Sequence, residues 1–234
     1  MKIISGGVCA AKGFFANGIH CGIRKNKTKR DLALIYSACD CAAAAVYTTN
    51  KVKGAPLTVT KENISDGIAR AVICNSGNAN TCNADGIDVA KSTCEALAKE
   101  LCIPASNVIV ASTGVIGQPL DIAPIVNSLP ALKAGLSEDG SQNAAEGIMT
   151  TDTKLKEIAV SFTVGGVECK IGGIAKGSGM IHPNMATMLV FITTDCNISS
   201  EMLRKALSSD IRNTFNMVSV EGDTSTNDMV AVLA

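Results

Sequence analysis

A threonine that follows a glycine-rich turn and a Pro-Asn bend is the residue best suited to nucleophilic chemistry in this chain. The segment 177–187 has the sequence GSGMIHPNMAT, and an apolar run over 188–192 follows it. If the turn strains the peptide bond between Ala186 and Thr187, the threonine hydroxyl can attack the carbonyl carbon of Ala186. Hydrolysis of the resulting ester would leave Thr187 as a new N-terminus.

A freed Thr187 would carry a base beside its own nucleophile. Its α-amino group has an unperturbed pKa near 8, so a useful fraction is neutral at physiological pH and can accept the hydroxyl proton. One residue would then do both tasks without a histidine, and the chain has only two, His20 and His182. The competing interpretation is a threonine that merely begins a strand, where threonine is common.

Three glycine-rich segments follow predicted strands and could bring backbone amides close to a ligand. They are Cys74–Asn80, Ala111–Gly117 and Gly172–Met180. Because glycine has no Cβ, Thr113 and Gly114 at a strand end could offer donors to a developing oxyanion. None of the segments has the spacing of a Walker or dinucleotide-binding loop, and each by itself is also compatible with an ordinary turn.

The elements that would position these residues are short strands mixed with helices. Strands are predicted at Leu32–Ser37, Ala42–Thr48, Arg70–Asn75, Val108–Ala111, Glu157–Val164, Val167–Ile171 and Met188–Thr193. Apolar residues at three- and four-residue steps predict a helix over Asp85–Leu101, and a capping signal at Ser199 predicts another after it. Gly165-Gly166 predicts a hairpin turn. This mixture is typical of an α/β or α+β layered fold.

Composition excludes several classes of function. The 234 residues are 47% hydrophobic and carry 21 basic and 21 acidic side chains, enough apolar material for one large domain or two modest ones. The basic cluster at 24–30 has no neighbouring aromatics, so we interpret it as a solvated loop and expect no nucleic acid partner. Apolar runs are too short for a signal peptide or a membrane helix, so we expect a soluble cytoplasmic protein without a membrane partner.

The ten cysteines predict neither a disulfide framework nor a metal site. No Cys-x-x-Cys occurs, and two histidines cannot complete the usual zinc spacing. Cys74 in a predicted strand and Cys94 on a predicted helix face stand where small apolar residues would. We therefore expect free thiols that pack as small hydrophobic groups in a reducing compartment.

The segment around Thr187 resembles the self-cleavage segment of the ArgJ family, the bifunctional ornithine acetyltransferase / glutamate N-acetyltransferase family. Further segments resemble motifs of that family in the same order: Gly6–Phe14, Asn75–Asn80, Ala111–Gly117, Met149–Thr153 and Glu221–Asp228. The resemblance covers essentially the whole chain. It implies a layered αββα-type sandwich, the N-terminal-nucleophile-like fold of DmpA/ArgJ-like proteins.

The resemblance also implies self-cleavage between Ala186 and Thr187. The products would be an α segment, residues 1–186, and a β segment of which 187–234 is the start. Thr187 would take acetyl from N2-acetyl-L-ornithine and pass it to L-glutamate in a ping-pong cycle of arginine biosynthesis.

Four other positions match functional positions of the family. Thr113 and Gly114 match its oxyanion hole, and Thr150 and Lys176 match substrate-binding positions that act together with Thr187. A lysine ammonium could hold a substrate carboxylate and lower the pKa of the Thr187 amine. The competing interpretation of Lys176 is an exposed lysine in a flexible loop. No role is implied for Glu221–Asp228.

Neither a metal nor a cofactor is implied, although acetyl-CoA is an acetyl donor in bifunctional members. The expected partners are the two small-molecule substrates, the two segments with each other, and further copies in an oligomer. Family chains continue well past residue 234, and the apolar run Met229–Ala234 also leads us to expect more chain or a partner segment. Two alternatives stay open: an N-terminal-nucleophile aminopeptidase or amidase of similar architecture, and an inactive truncated fragment.

Overall fold

Strands and helices alternate along residues 1–179, 188–220 and 222–234, the part of the chain that this computed structural model describes. The strands there are β1 (Lys2–Ile4), β2 (Phe14–Ile19), β3 (Leu32–Tyr47), β4 (Ile68–Asn78), β5 (Val108–Val115), β6 (Lys156–Val164), β7 (Val167–Lys176), β8 (Leu189–Thr194) and β9 (Met229–Leu233). The α-helices are α1 (Ala55–Asn63), α2 (Gly86–Leu101), α3 (Ala123–Ala134), α4 (Ser141–Ile148) and α5 (Ser200–Asp210).

The long strand β3 joins two sheets. Its first part pairs with β2 and β4, and residues 43–47 pair with β9, with a shift of register between Tyr36 and Cys41. Beyond β4 lies β5, and beyond β9 lie β8, β7, β6 and β1 in that order. The sequence predicts two separate strands here, Leu32–Ser37 and Ala42–Thr48, and this prediction is wrong because one strand covers both. The Arg70 guanidinium donates hydrogen bonds to the carbonyl oxygens of Ser37 and Ala38 at 3.3 and 2.8 Å. The strand therefore bulges at this point and changes its neighbouring strands without ending.

The two sheets face each other across a central core, and helices cover their outer faces. Ile109 of β5 and Phe191 of β8 are both buried in the central core, together with Ile148 of α4. Leu97 of α2 belongs to a second cluster on the outer face of β3–β5, and Leu203 of α5 to a third on β8 and β9. The predicted layered α/β fold is confirmed.

Both helices predicted from periodicity and capping are present. The helix α2 begins at Gly86, and α5 begins at Ser200, where the Ser199 hydroxyl accepts a hydrogen bond from Met202 N at 3.3 Å. The turn between β6 and β7 is also as predicted, with φ of 58° and 83° at Gly165 and Gly166.

The glycine-rich segments are more regular than predicted. The strands β4, β5 and β7 continue through Asn78, Val115 and Lys176, so much of each predicted loop is strand. At Gly172, a Cβ would come within 1.8 Å of the carbonyl oxygen of Gly7. Glycine there lets the N-terminal segment lie directly against β7.

Further sequence expectations concern membranes, metals and thiols. No helix among the described residues is both long and apolar enough to cross a bilayer. Within the same residues, no group of three or more His, Cys, Asp or Glu side chains is arranged to hold a metal ion. All ten cysteines lie in the described part and are free thiols, with Cys74 and Cys94 buried in the core.

Candidate active site

The carboxyl ends of β4 and β5 place two of the glycine-rich segments side by side. The strands are parallel, with Ser76 opposite Thr113 and Gly77 opposite Gly114. At Gly114, φ is 137°, and a Cβ would lie 2.3 Å from the carbonyl carbon of Gly77. Only glycine fits this backbone and this close approach. Two segments that were separate in the sequence therefore form one rigid edge.

A cavity of about 530 Å³ opens at this edge. Thr113, Gly114, Thr150 and Lys176, the predicted site residues that fall within the described part of the chain, all line it. The predicted nucleophile and cleavage site, Thr187 and Ala186, lie outside the described residues. The structure thus brings four predicted residues together, and their chemical roles stay predictions.

Lys176 ends β7 and is almost fully enclosed. Its side chain is 3% exposed, and Nζ lies 3.3 Å from the hydroxyl oxygen of Thr113. Burial lowers the pKa of Lys176, and the nearby carboxyl of Asp152 acts in the opposite direction. The alternative of an exposed loop lysine is therefore wrong. Because an ammonium can only donate, Thr113 accepts this bond and keeps its own hydroxyl proton for another partner.

Asp152 connects two parts of the cavity wall. Its Oδ1 accepts hydrogen bonds from Gly177 N at 2.8 Å and from Lys156 Nζ at 2.7 Å, and its Oδ2 accepts one from Thr150 N at 3.2 Å. Burial by itself would raise the pKa of Asp152, but these bonds and the charge of Lys176 hold it below its ordinary value. A charged Asp152 therefore fixes Thr150 and Gly177 beside Lys176.

Asn227 connects the segment before β9 to the same edge. Its Nδ2 donates to the carbonyl oxygens of Ala79 and Ser112 at 2.7 and 2.9 Å, while Thr81 Oγ1 donates to its Oδ1 at 2.7 Å. Ser225, which comes two residues earlier, also lines the cavity. The sequence analysis assigned no role to this polar segment. Its run of Ser, Thr and Asn side chains directly before an apolar strand is the feature that could have indicated a place in the site.

Arg24 is a second cation that faces the cavity. Its backbone nitrogen donates to the fully buried carboxyl of Asp31 at 2.8 Å, and its guanidinium donates to the carbonyl oxygen of Met149. The interpretation of the basic cluster as a solvated loop is wrong for this residue. With Lys176, it gives the cavity two positive groups, which suits ligands that carry carboxylates.

Asp228 contacts Met188, the residue that follows the predicted nucleophile in the chain, and the sequence did not reveal this contact. It is 1% exposed, and its Oδ1 accepts a hydrogen bond from Met188 N at 2.8 Å. Its Oδ2 is buried without a hydrogen-bond partner among the described residues. Burial raises the pKa of Asp228 to about 7, although the hydrogen bond from Met188, the nearby Ser225 hydroxyl and the charge of Lys176 oppose the shift. Met188 directly follows Thr187 in the chain.

The family model and similar curated proteins point to the same family. The sequence profile of the ArgJ family matches residues 15–234. The arginine biosynthesis bifunctional protein ArgJ of Caldanaerobacter subterraneus subsp. tengcongensis is 46% identical over 235 aligned positions, covering 100% of this chain and 58% of that protein. The same protein of Symbiobacterium thermophilum is 48% identical, and this chain covers 59% of it. The chain thus spans less than two thirds of these relatives.

Solved structures agree with the sequence comparison. The ArgJ bifunctional protein of Bacillus halodurans has a TM-score of 0.74 at 40% identity, over 81% of this chain and 97% of that one. The ornithine acetyltransferase of Mycobacterium tuberculosis, solved with ornithine, has a TM-score of 0.71 at 32% identity, over 80% of this chain and 99% of that one.

A more distant structure bears on the fold alone. The L-aminopeptidase D-Ala-esterase/amidase of Ochrobactrum anthropi, described as a variant of the Ntn hydrolase fold, has a TM-score of 0.52 at 13% identity. It aligns with 100% of this chain and 75% of its own. The predicted N-terminal-nucleophile-like fold is confirmed.

Proposed function

The chain belongs to the ArgJ family, and from this premise we propose that it carries the acyl-transfer site of an arginine-biosynthesis acetyltransferase. The proposed reaction moves acetyl from N2-acetyl-L-ornithine to L-glutamate through an acetyl ester on Thr187. The observation that carries the proposal is the convergence of Thr113, Gly114, Thr150 and Lys176 on one cavity at the edge of a parallel strand pair.

The oxyanion of each tetrahedral intermediate would be stabilised by Thr113 and Gly114. Lys176 Nζ is 3.3 Å from Thr113 Oγ1, so the lysine polarises this hydroxyl and leaves its proton for an oxyanion. Gly114 lacks a Cβ that would block approach to its backbone. Donors aimed at developing charge in a closed site are typically the largest single contribution to such catalysis.

Both substrates carry an α-carboxylate, and the cavity offers cations to bind it. Lys176, Arg24 and Thr150 all line the cavity, and the backbone nitrogen of Thr150 donates to the carboxyl of Asp152. A buried ammonium also disfavours a second positive charge nearby, which would lower the pKa of a freed Thr187 amine and make it a better base. The amine then accepts the hydroxyl proton as oxygen attacks the acetyl carbon, and returns a proton to the departing ornithine nitrogen.

The lengths of the solved relatives support cleavage before Thr187. Both relatives align over nearly all of their own chains but over only about 80% of this chain. This share corresponds to about 187 of the 234 residues. A segment that ends at Ala186 would have this size. The α and β segments would remain together, because β8 and β9 lie between β7 and β3 in one sheet.

The proposal also covers the cofactor, a second acetyl donor, the location and the assembly of the protein. No cofactor is required, because Thr187 itself holds the acetyl group, and acetyl-CoA is a candidate second donor. We place the reaction in the cytoplasm, among copies of the protein that associate as oligomers.

The test is an intact-mass measurement combined with an acetyl-transfer assay on the protein at its full natural length. We expect wild type to split between Ala186 and Thr187. The Thr187→Ala variant should keep one mass and lose transfer by at least about 10³-fold, because both nucleophile and base are gone. Wild type that transfers acetyl with this bond intact would contradict the proposal.

The same assay separates transfer from hydrolysis. An aminopeptidase or amidase of this fold would release ornithine at a rate that does not depend on glutamate. The proposed ping-pong cycle requires release to rise with glutamate and N-acetylglutamate to form in equal amount. If neither wild type nor Thr187→Ala cleaves or transfers acetyl, the result would instead indicate an inactive protein.

A further inference from the structure

Self-cleavage poses a chemical problem that the mature enzyme does not have. In the proposed cycle the base is the free α-amino group of Thr187. Before cleavage that nitrogen belongs to the peptide bond with Ala186, and an amide nitrogen is not basic. Another group must accept the hydroxyl proton when Thr187 attacks for the first time.

Asp228 has the position and chemistry for this task. Its Oδ1 accepts the Met188 N–H at 2.8 Å, and Thr187 is bonded to that same nitrogen. Covalent geometry keeps the Thr187 hydroxyl oxygen within about 5 Å of Met188 N in any conformation. The second carboxyl oxygen of Asp228 is buried and has no hydrogen-bond partner among the residues described. A carboxyl oxygen without a bond is costly to bury, so it points to an unassigned task.

We propose that Asp228 is the general base of self-cleavage, taking the hydroxyl proton of Thr187 on its Oδ2. This assignment rests on the proposed cleavage between Ala186 and Thr187. It is separate from the base of the acetyl-transfer cycle, which is the amine that cleavage creates.

The proton and bonds balance in this step. As Asp228 Oδ2 takes the proton, Thr187 Oγ1 bonds to the carbonyl carbon of Ala186. That carbon then releases the Thr187 nitrogen, which receives the proton back from Asp228 and becomes the free amine. Water hydrolyses the Ala186 ester, which restores the hydroxyl and gives Ala186 a carboxylate.

The surroundings of Asp228 make its carboxyl a usable base near neutral pH. Its pKa of about 7 comes chiefly from burial. Lys176 on β7 is the charged side chain that acts on it within the described residues, while Asp152 and Cys74 act on Lys176. Directly after β3, the backbone nitrogen of Thr48 donates to the Asp228 carbonyl oxygen at 2.9 Å. An ordinary surface aspartate would be far less basic, since its pKa is about 4.

The experiment compares Asp228→Asn with Asp223→Asn in the full-length protein, by following the uncleaved fraction with intact mass at several pH values. Asparagine keeps the size of Asp228 and can still accept the Met188 N–H, but it cannot take a proton. Asp223 is exposed in the same segment, so it is the matched control. General bases typically contribute 10²–10⁴-fold, so we expect Asp228→Asn to cleave at least about 10²-fold more slowly.

The pH profile separates a chemical role from a structural one. We expect wild-type and Asp223→Asn cleavage to accelerate as pH rises and to be half-maximal near pH 7, and the residual cleavage of Asp228→Asn to lack this step. A variant that cleaves at the wild-type rate, or one with the wild-type pH profile, overturns the assignment to Asp228. Wild type that never cleaves overturns the proposed function instead, so the two failures are distinguishable.

Discussion

At the scale of single residues, Lys176 matters most because burial changes what its ammonium can do. It is enclosed beside Thr113, with Asp152 and Asp228 as the carboxyls that act on it. A charge in this position is little screened by water, so it acts strongly on any oxyanion or carboxylate in the cavity. Removing the charge should therefore affect the transition state as well as substrate binding.

We expect Lys176→Met, which keeps the aliphatic length, to lower kcat/KM for N-acetylornithine by about 10²–10³-fold in steady-state assays of full-length protein. The control is Lys170→Met on the same strand, whose side chain is not part of the cavity wall. It should retain activity within about threefold. An unchanged kcat/KM for Lys176→Met would show that this lysine has no part in the mechanism.

Residues of the site differ in how visible they are in the sequence. Thr113, Gly114 and Lys176 stand in glycine-rich segments that resemble ArgJ motifs, and this resemblance predicted their roles. Arg24 belongs to a basic cluster that was interpreted as solvated, and Asp228 to a segment with no implied role, so neither was predicted as a site residue. Their importance comes from contacts to Met149 and Met188, at separations of 125 and 40 residues, which only the folded chain reveals.

At the scale of elements, the parallel pair of β4 and β5 sets the geometry of the predicted oxyanion hole. The two strands pass so closely at their carboxyl ends that Gly114 has no room for a side chain. The same crowding gives a direct way to test whether the edge must be rigid.

We expect Gly114→Ala to destabilise the protein by more than about 2 kcal/mol, because it combines a strained φ with a backbone clash. Its acetyl transfer should fall at least about tenfold, as the strand ends must separate. The control is Gly117→Ala, where φ is also positive, at 77°, but a Cβ meets no atom within 4 Å. It should cost only about 1 kcal/mol. Chemical denaturation measures both, and equal losses would contradict the role of the close approach.

Elements with a strong hydrophobic period were predictable, and irregular ones were not. The branched apolar runs of β4 and β6 and the apolar stripe of α2 predicted those elements directly. Sequence analysis did not predict α3, which contains Pro130, or α4, which is rich in small residues and buried in the central core. Tertiary packing forms these helices although their local sequences favour them only weakly.

At the scale of the whole molecule, the two segments predicted from self-cleavage are interleaved. The strands β8 and β9 both follow residue 187, yet they lie between β7 and β3, which precede it. The buried residue Asp228 directly precedes β9, a strand of this shared sheet. Its ionisation is therefore coupled to the stability of the complete fold.

The sign of this coupling follows from the direction of the pKa shift. Folding raises the pKa of Asp228 from about 4 to about 7, so the folded chain binds this proton more tightly than the unfolded chain. The contribution to stability is present at low pH and is lost as pH rises towards 7. Between pH 5 and pH 8 the loss should be about 3 kcal/mol, at 1.36 kcal/mol for each pKa unit.

We expect the free energy of unfolding of Thr187→Ala, which holds the chain uncleaved, to fall between pH 5 and pH 8. The double variant Thr187→Ala, Asp228→Asn should lack about 3 kcal/mol of that fall and be the more stable protein at pH 8, because asparagine has no buried charge to desolvate. Urea unfolding at both pH values measures the difference. If the two proteins change equally with pH, the Asp228 carboxyl titrates in the folded chain as an ordinary exposed aspartate does.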